Sequence, residues 1–402
     1  MIKRSVKLAV VCTHPIQYYS PWFRHLAEQA PRLGLGLRLG DEEAADFSFE
    51  VFYAHKQTAK GQAGAGFGVE FEWDVPLLEG YPYRFLKNIS RRPSTDIFEG
   101  CDCPEVGDIL KKGCFTHLLC IGWYTKVFWQ ATWAAKKAGI RTLSRGDSQL
   151  GMQRSLIKKI VKEVLYRPML QAFDGHLYVG QRNREYLEHY GVSEKRLFFS
   201  PHFVDNEWWS ARAKAAEAGS GKREVERSVK FLFAGKFIPK KRVIDLLEAA
   251  AGVPEASVVL VGDGPLRGQL EERAARPDLK GRVEFAGFKN QQELPAYLAA
   301  ADCLVLPSDG TETWGLIVNE AMACGTPSIV STACGCQPDL IVEGQTGYSF
   351  PVGDTSNLTD QMRLFVKNRN RSWGEFMQAK IKEYSMAKAT NGLWQACTEL
   401  AS

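Results

Sequence analysis

A repeating rhythm restricts this chain more than any other feature. Short β-branched or aromatic apolar runs, "VKLAVVCT" (6–13), "FEVFYAH" (49–55), "THLLCIG" (116–122), "IRTLS" (140–144) and "GHLYVG" (175–180), alternate with helical patterns such as 123–138 and 155–172. Runs of this kind, separated by helix-length segments, predict βα units on a parallel sheet. The rhythm breaks at 208–228, "WWSARAKAAEAGSGKREVERS", which reads as a polar linker. It then resumes with "VKFLFAGK" (229–236), helix 241–251, "SVVLVGDG" (257–264), helix 265–274, "RVEFAG" (282–287), helix 291–300, "DCLVLPS" (302–308), helix 316–324 and "PSIVS" (327–331). The expected architecture is α/β, with two doubly wound Rossmann-like domains, 1–207 and 229–375, facing each other across a cleft. A helical segment, 376–402, follows and is free to pack back on the first domain. A chain of 402 residues is long enough for two cores. Ligands in such sheets sit beyond the carboxyl ends of the strands.

Composition narrows the partners. The net charge of +5 is not gathered into a tail, so nucleic acid is not expected, while anionic small molecules and an anionic membrane surface remain open. Many of the ten cysteines fall in apolar runs such as "HLLCIG" and "ADCLVL", which suits reduced thiols in a cytoplasmic protein. Cys101-x-Cys103 and Cys334-x-Cys336 lack the spacing of a zinc half-site, and no metal or other cofactor is expected. The opening "MIKRSVKLAVVCTHP" reads as a first strand, not a signal peptide, and no run approaches the roughly 18 apolar residues of a membrane span.

The chemistry gathers at strand ends in the second half. One strand runs into "GKFIPKKR", bringing Lys236, Lys240, Lys241 and Arg242 to its carboxyl edge. The next ends in "GDGPLR", where Gly262, Gly264 and a proline make a tight turn, and a third ends in "PSDGTETWG" before a helix. Lysines, backbone amides and a helix start on one edge suit a phosphate-bearing ligand, although any one of these loops alone also reads as an ordinary solvated turn. Glu312 and Glu320 lie in the third segment. In one continuous helix they would differ by about 80° around the axis. A helix beginning near Leu316 instead leaves Glu312 in the loop above it and Glu320 inside, flanking one ligand. Carboxylates beside a diphosphate fit vicinal hydroxyls of a sugar or ribose. Glu320 sits among Leu316, Ile317, Val318, Ala321, Met322 and Ala323, so it needs a partner.

These residues resemble a family. From about 229 to 355, "GKFIPKKRVIDLLEA", "VGDGP", "VEFAGF", the E-x7-E pair with "EAMACGTP", and "EGQTGYSF" are similar to the nucleotide-sugar domain of GT-B glycosyltransferases, retaining family 4. The resemblance implies that Lys236 and Lys241 contact the donor diphosphate, with Lys236 where arginine is more usual. It implies that Glu312 holds hydroxyls of the transferred sugar and Glu320 the ribose. Thr313, Trp314, Gly315 and Leu316 face sugar and phosphate, while Gly287 and Phe288 line the base. The implied reaction is transfer from a nucleoside-diphosphate sugar, such as a UDP-sugar, to a carbohydrate, lipid-linked or small-molecule acceptor. An epimerase or phosphorylase on the same fold, and a non-catalytic nucleotide-sugar sensor, are the rival readings.

The first half departs from that family. The usual glycine-rich loop after the first strand is replaced by "THPIQYYSPWFRHLAEQ", with His14, Gln17 and Tyr18 at its tip. His14 is either an acceptor-side base or a helix-start histidine without a role. Where many members place a histidine facing the donor sugar, this chain has "RGDSQL"; Arg145 and Asp147 read either as sugar-side contacts or as a surface turn with a local ion pair. "GQAGAGFG" (61–68) lacks a P-loop's Gly-Lys-Ser/Thr and reads as a mobile loop near the acceptor. The segment "QRSLIKKIVKEVLYRPML" (153–170) carries Arg154, Lys158, Lys159, Lys162 and Arg167 on a helical apolar period. It is either an ordinary domain helix with solvated lysines or a basic amphipathic helix giving peripheral membrane contact.

Overall fold

The computed structural model describes residues 5–33, 47–56, 69–151, 156–219, 228–369 and 372–400. The glycine-rich 61–68 and residues 153–155 lie outside them. The first sheet contains β1 (Val6–Cys12), β2 (Phe47–Tyr53), β3 (Tyr83–Phe85), β4 (His117–Ile121), β5 (Arg141–Gly146), β6 (Gly175–Tyr178) and β7 (Leu197–Phe199), in the order β3-β2-β1-β4-β5-β6-β7. The second contains β8 (Val229–Ala234), β9 (Ala256–Val261), β10 (Val283–Gly287), β11 (Cys303–Leu306), β12 (Ser328–Ser331) and β13 (Gly347–Phe350), in the order β10-β9-β8-β11-β12-β13. Every strand pair is parallel. The order reverses beside β1 and β4 in one sheet and beside β8 and β11 in the other, and these are the edges that meet at the cleft.

Three strands escape the sequence reading: β3, β7 and β13 have only three or four residues, too few for a period to register. The linker reading of 208–228 is corrected. Asn206–Gly219 is a helix, and Trp209 and Ala213 bury one face of it against the second domain's core. The alanines and charged residues that look like linker composition are also strong helix formers. Among the described residues of 208–228, only Ser228 lies outside helix.

The helix Met386–Leu400 returns to the first domain. Its Ala389, Leu393 and Ala396 join Leu8, Val10, Trp22 and Phe23 in one apolar cluster, and Trp22 Nε1 donates to Thr390 Oγ1 at 3.0 Å. The approach is close enough to require glycine at 392, where a Cβ would lie 2.0 Å from the carbonyl oxygen of Phe199.

Candidate active site

Between the sheets lies a cavity of about 590 Å³, lined by His14, Gln17, Tyr18 and Tyr19 from the turn after β1 and by Lys236, Lys240 and Lys241 from the turn after β8. That is room for a ligand of nucleotide-sugar size. Glu312, Thr313, Trp314, Gly315, Leu316 and Glu320 line its second-domain wall, with Gly262 and Phe288 beside them. Gly264 is not on this wall. It backs the loop from β8, where a Cβ would lie 2.7 Å from Phe237 O, so close packing requires glycine there. Gly262 does both: it lines the cavity, and a Cβ there would lie 1.9 Å from Gly235 O. Arg242 turns away and pairs with Asp245 at 2.6 Å.

The two glutamates have different surroundings. Glu312 Oε2 lies 2.5 Å from Lys241 Nζ and 4.0 Å from Lys240 Nζ. Burial pushes its carboxyl up, but the two lysines outweigh this and hold it below the ordinary glutamate value. Glu320, buried in helix Ile317–Ala323, is pushed up to about 8 by burial, with a hydrogen bond from Tyr18 and the charge of Lys241 offsetting part of the rise. Lys236 is lowered by burial and by its neighbours Lys240 and Lys241. The floor of the cavity therefore holds a surplus of positive charge around one ionised carboxylate. An anionic group suits such a place.

On the first-domain side, His14 is lowered to about 4, by burial and by His55, and is neutral at physiological pH. Its Nδ1 lies 3.0 Å from Thr13 Oγ1. Gln17 is buried in the cavity wall. The reading of "RGD" as a surface turn with a local ion pair needs correction at Arg145. It is not on the surface, being 1% exposed, and it lines the cavity beside Gly146 and Asp147. Its guanidinium donates to Ser200 Oγ at 2.8 Å, to Pro201 O at 2.7 Å and to Ser200 O, and lies over the rings of Tyr19, Trp22 and Phe203. Asp147 makes no pair with it. It accepts from Thr313 Oγ1 at 2.6 Å, joining the first domain to the loop that carries Glu312.

Two residues with structural weight here, Gln149 and His202, are not singled out by the sequence. Gln149, 1% exposed, donates to the carbonyls of Gly310 and Glu312 at 3.0 and 2.9 Å and so fixes the loop from the opposite domain. His202 lines the cavity with Nε2 3.8 Å from Asp147 Oδ2 and its ring 5.3 Å from that of Trp314. It follows the unrecognised β7; reading "RLFFS" as a strand puts "PH" at a carboxyl end. Trp314 itself is buried in the seam between domains, and its Nε1 donates to Asn319 Oδ1 at 2.8 Å. Its ring packs against those of His202 and Tyr384. Tyr18 lies in the quoted loop, but its contact with Glu320 leaves no local trace in the sequence.

This architecture is that of GT-B glycosyltransferases. Sucrose-phosphate synthase from Thermosynechococcus elongatus superposes with a TM-score of 0.70 over 99% of this chain and 100% of that one, at 19% identity. The Anabaena protein HepE, solved with UDP-glucose, superposes with a TM-score of 0.66 over 98% of this chain and 99% of its own, at 14% identity. Residues 218–385 match the family described as "Glycosyl transferases group 1". The chain is 34% identical over 165 residues to the N-acetyl-alpha-D-glucosaminyl L-malate synthase of Bacillus anthracis, covering 40% of this chain and 42% of that protein. The chain spans less than half the length of the curated relatives it matches, from 26 to 48%.

Proposed function

We propose that this protein transfers a hexose-type sugar from a nucleoside-diphosphate sugar to an acceptor hydroxyl with retention of configuration and without an obligatory metal. The observation that carries the reading is the cluster of Lys236, Lys240 and Lys241 around Glu312 on the floor of an interdomain cavity. Lys236 and Lys241 take the diphosphate, Glu312 the sugar hydroxyls, and Glu320 the ribose. The bond from the anomeric carbon to the phosphate oxygen breaks, the acceptor oxygen bonds to that carbon on the same face, and the acceptor proton passes to the departing phosphate. Rate enhancement comes from the lysines stabilising charge on the leaving group. The acceptor, a carbohydrate, lipid-linked or small molecule, enters from the side of His14 and Gln17. HepE has been solved with UDP and glucose, which makes UDP-sugars the first donors to try. A panel of nucleotide sugars assayed for hydrolysis and transfer, with the product anomer read by NMR, tests this. Epimer formation, binding without turnover, or an inverted product each overturns it.

The reading extends to an acceptor presented at a cytoplasmic membrane surface. Val164 and Leu165 stand 67 and 50% exposed on helix Leu156–Gln171 instead of packing on the sheet. Lys162 lies over the rings of Tyr166, Tyr186 and Tyr190, so it is not among the solvated lysines. Among the described residues no helix is long and apolar enough to cross a membrane. Co-sedimentation with anionic liposomes that falls with salt and with Lys158→Glu/Lys159→Glu supports surface contact. No binding at low salt removes it.

A further inference from the structure

Three carbonyl oxygens of the second domain converge on one side chain of the first. Gln149 Nε2 donates to Glu312 O at 2.9 Å, to Gly310 O at 3.0 Å and to Ala333 O at 3.3 Å. Two of these oxygens belong to the loop after β11 that carries Glu312, and the third to the turn after β12. Gln149 Oε1 in turn accepts from Arg182 Nη1 at 3.2 Å, and the same guanidinium donates to Ala333 O at 3.2 Å and to Thr332 O. A neutral amide suits this junction, because it offers two N–H donors to the carbonyls and an acceptor to the arginine without burying another charge. Gln149 is buried, so a carbonyl that lost this donor would gain no ready substitute from solvent. The lysine turn after β8 is a different loop, held by bonds within the second domain: Phe237 N–H to Asp263 O at 2.8 Å and Lys241 N–H to Ile238 O at 3.0 Å.

We propose that Gln149 is a positioning residue for Glu312. The part of the donor site that meets the transferred sugar is set from the first domain, whereas the part that meets the diphosphate is built by the second. The inference rests on the assignment of Glu312 to the sugar hydroxyls and deepens it. Gln149 touches no substrate; it acts through the backbone on either side of the carboxylate. A donor held by the lysines alone has its diphosphate in place and its sugar unsupported. Transfer then depends on the first domain being docked, which guards the donor against reaction with water beforehand.

Steady-state kinetics and calorimetry on the full chain test this. The donor is whichever of a panel of UDP-, GDP-, ADP- and CDP-sugars the wild type turns over fastest, and the binding probe is the matching nucleoside diphosphate. Gln149→Met keeps the length of the side chain and removes its donors. It should lower kcat on the order of tenfold while nucleoside-diphosphate affinity stays undiminished. In a Glu312→Ala background the same substitution should cost no further activity, because its effect passes through Glu312; a merely structural role would multiply the two losses. Arg182→Met, which frees the Gln149 amide on one side, should show the same pattern more weakly, and it carries the test if Gln149→Met does not fold. Wild-type turnover in these variants, multiplied losses in the double variant, or a loss of nucleotide affinity as large as the loss of turnover overturns the positioning role and leaves the donor reading standing. A wild type that turns over none of the nucleotide sugars overturns both.

Discussion

The phenol of Tyr18, from the first domain, faces the carboxyl group of Glu320 in the second, close enough for each to bias the other's proton. The contact crosses the cleft at the position assigned to the ribose. A donor seated there competes with Tyr18 for Glu320. Tyr18→Phe should therefore raise nucleoside-diphosphate affinity severalfold, measured by calorimetry. An unchanged or weaker constant would show that Tyr18 and ribose do not compete.

Glu320 also makes stability depend on pH. Its folded carboxyl is pushed up to about 8 by burial, above the 4.5 of an unperturbed glutamate. Below the unfolded value both states hold the proton. As pH rises towards 8 the unfolded state ionises first, so the folded state loses stability across that window and the loss levels off above it. Thermal melts of Glu320→Gln should gain on the wild type between pH 5 and pH 8. Parallel curves would mean that Glu320 is ionised in the folded protein.

Glu312 and Glu320 should separate kinetically. Glu312→Ala loses a charge-assisted hydrogen bond to ligand, about 1.5–3 kcal/mol, and Glu320→Ala, whose carboxyl keeps its proton below about pH 8, a neutral one of about 0.5–1.5 kcal/mol. Glu320→Ala should act mainly on donor affinity, and Glu312→Ala mainly on turnover, because only Glu312 is assigned to the transferred sugar. Steady-state kinetics with the preferred donor decide; wild-type rates in both variants would remove the site assignment.

Lys236→Ala and Lys241→Ala should each reduce affinity for a nucleoside diphosphate more than for the nucleoside. Lys241→Ala does further harm, because Glu312 loses the partner 2.5 Å away and becomes a buried carboxylate with less compensation. Glu312→Gln in that background should recover part of the loss. Equal calorimetric losses for both ligands would refute phosphate contact.

Gly392→Ala tests the return of the last helix. Its Cβ would lie 2.0 Å from Phe199 O, and overpacking of this kind costs roughly 1–3 kcal/mol. Urea denaturation should reveal a lower midpoint, whereas an unchanged midpoint would mean that the helix is not held against β7.

What the sequence made legible is what local pattern encodes. The β-branched runs name most strands, and Lys236, Lys241, Glu312 and Glu320 stand at strand ends where a turn or helix start marks them. What it concealed is pairing at a distance. Nothing near Tyr18 announces Glu320, nothing near Asp147 announces Thr313, and nothing near Gln149 announces Glu312. Such contacts exist only once both sheets are built and facing. Brevity hid the rest: three residues of β7 carry no period, so His202 just beyond it looked like loop. At Arg145 the error ran the other way, since charge suggested surface while the buried carbonyls of Ser200 and Pro201 supplied its partners.

The returning helix also sets an order of assembly during synthesis. Ala389, Leu393 and Ala396 belong to the core of the first domain, yet they emerge from the ribosome after the whole second sheet. A nascent chain can finish β8 to β13 while the first half still lacks one wall, with Trp22 waiting for Thr390. The first domain is begun first and sealed last, and its open flank beside β6 and β7 is the surface on which a holding chaperone would act.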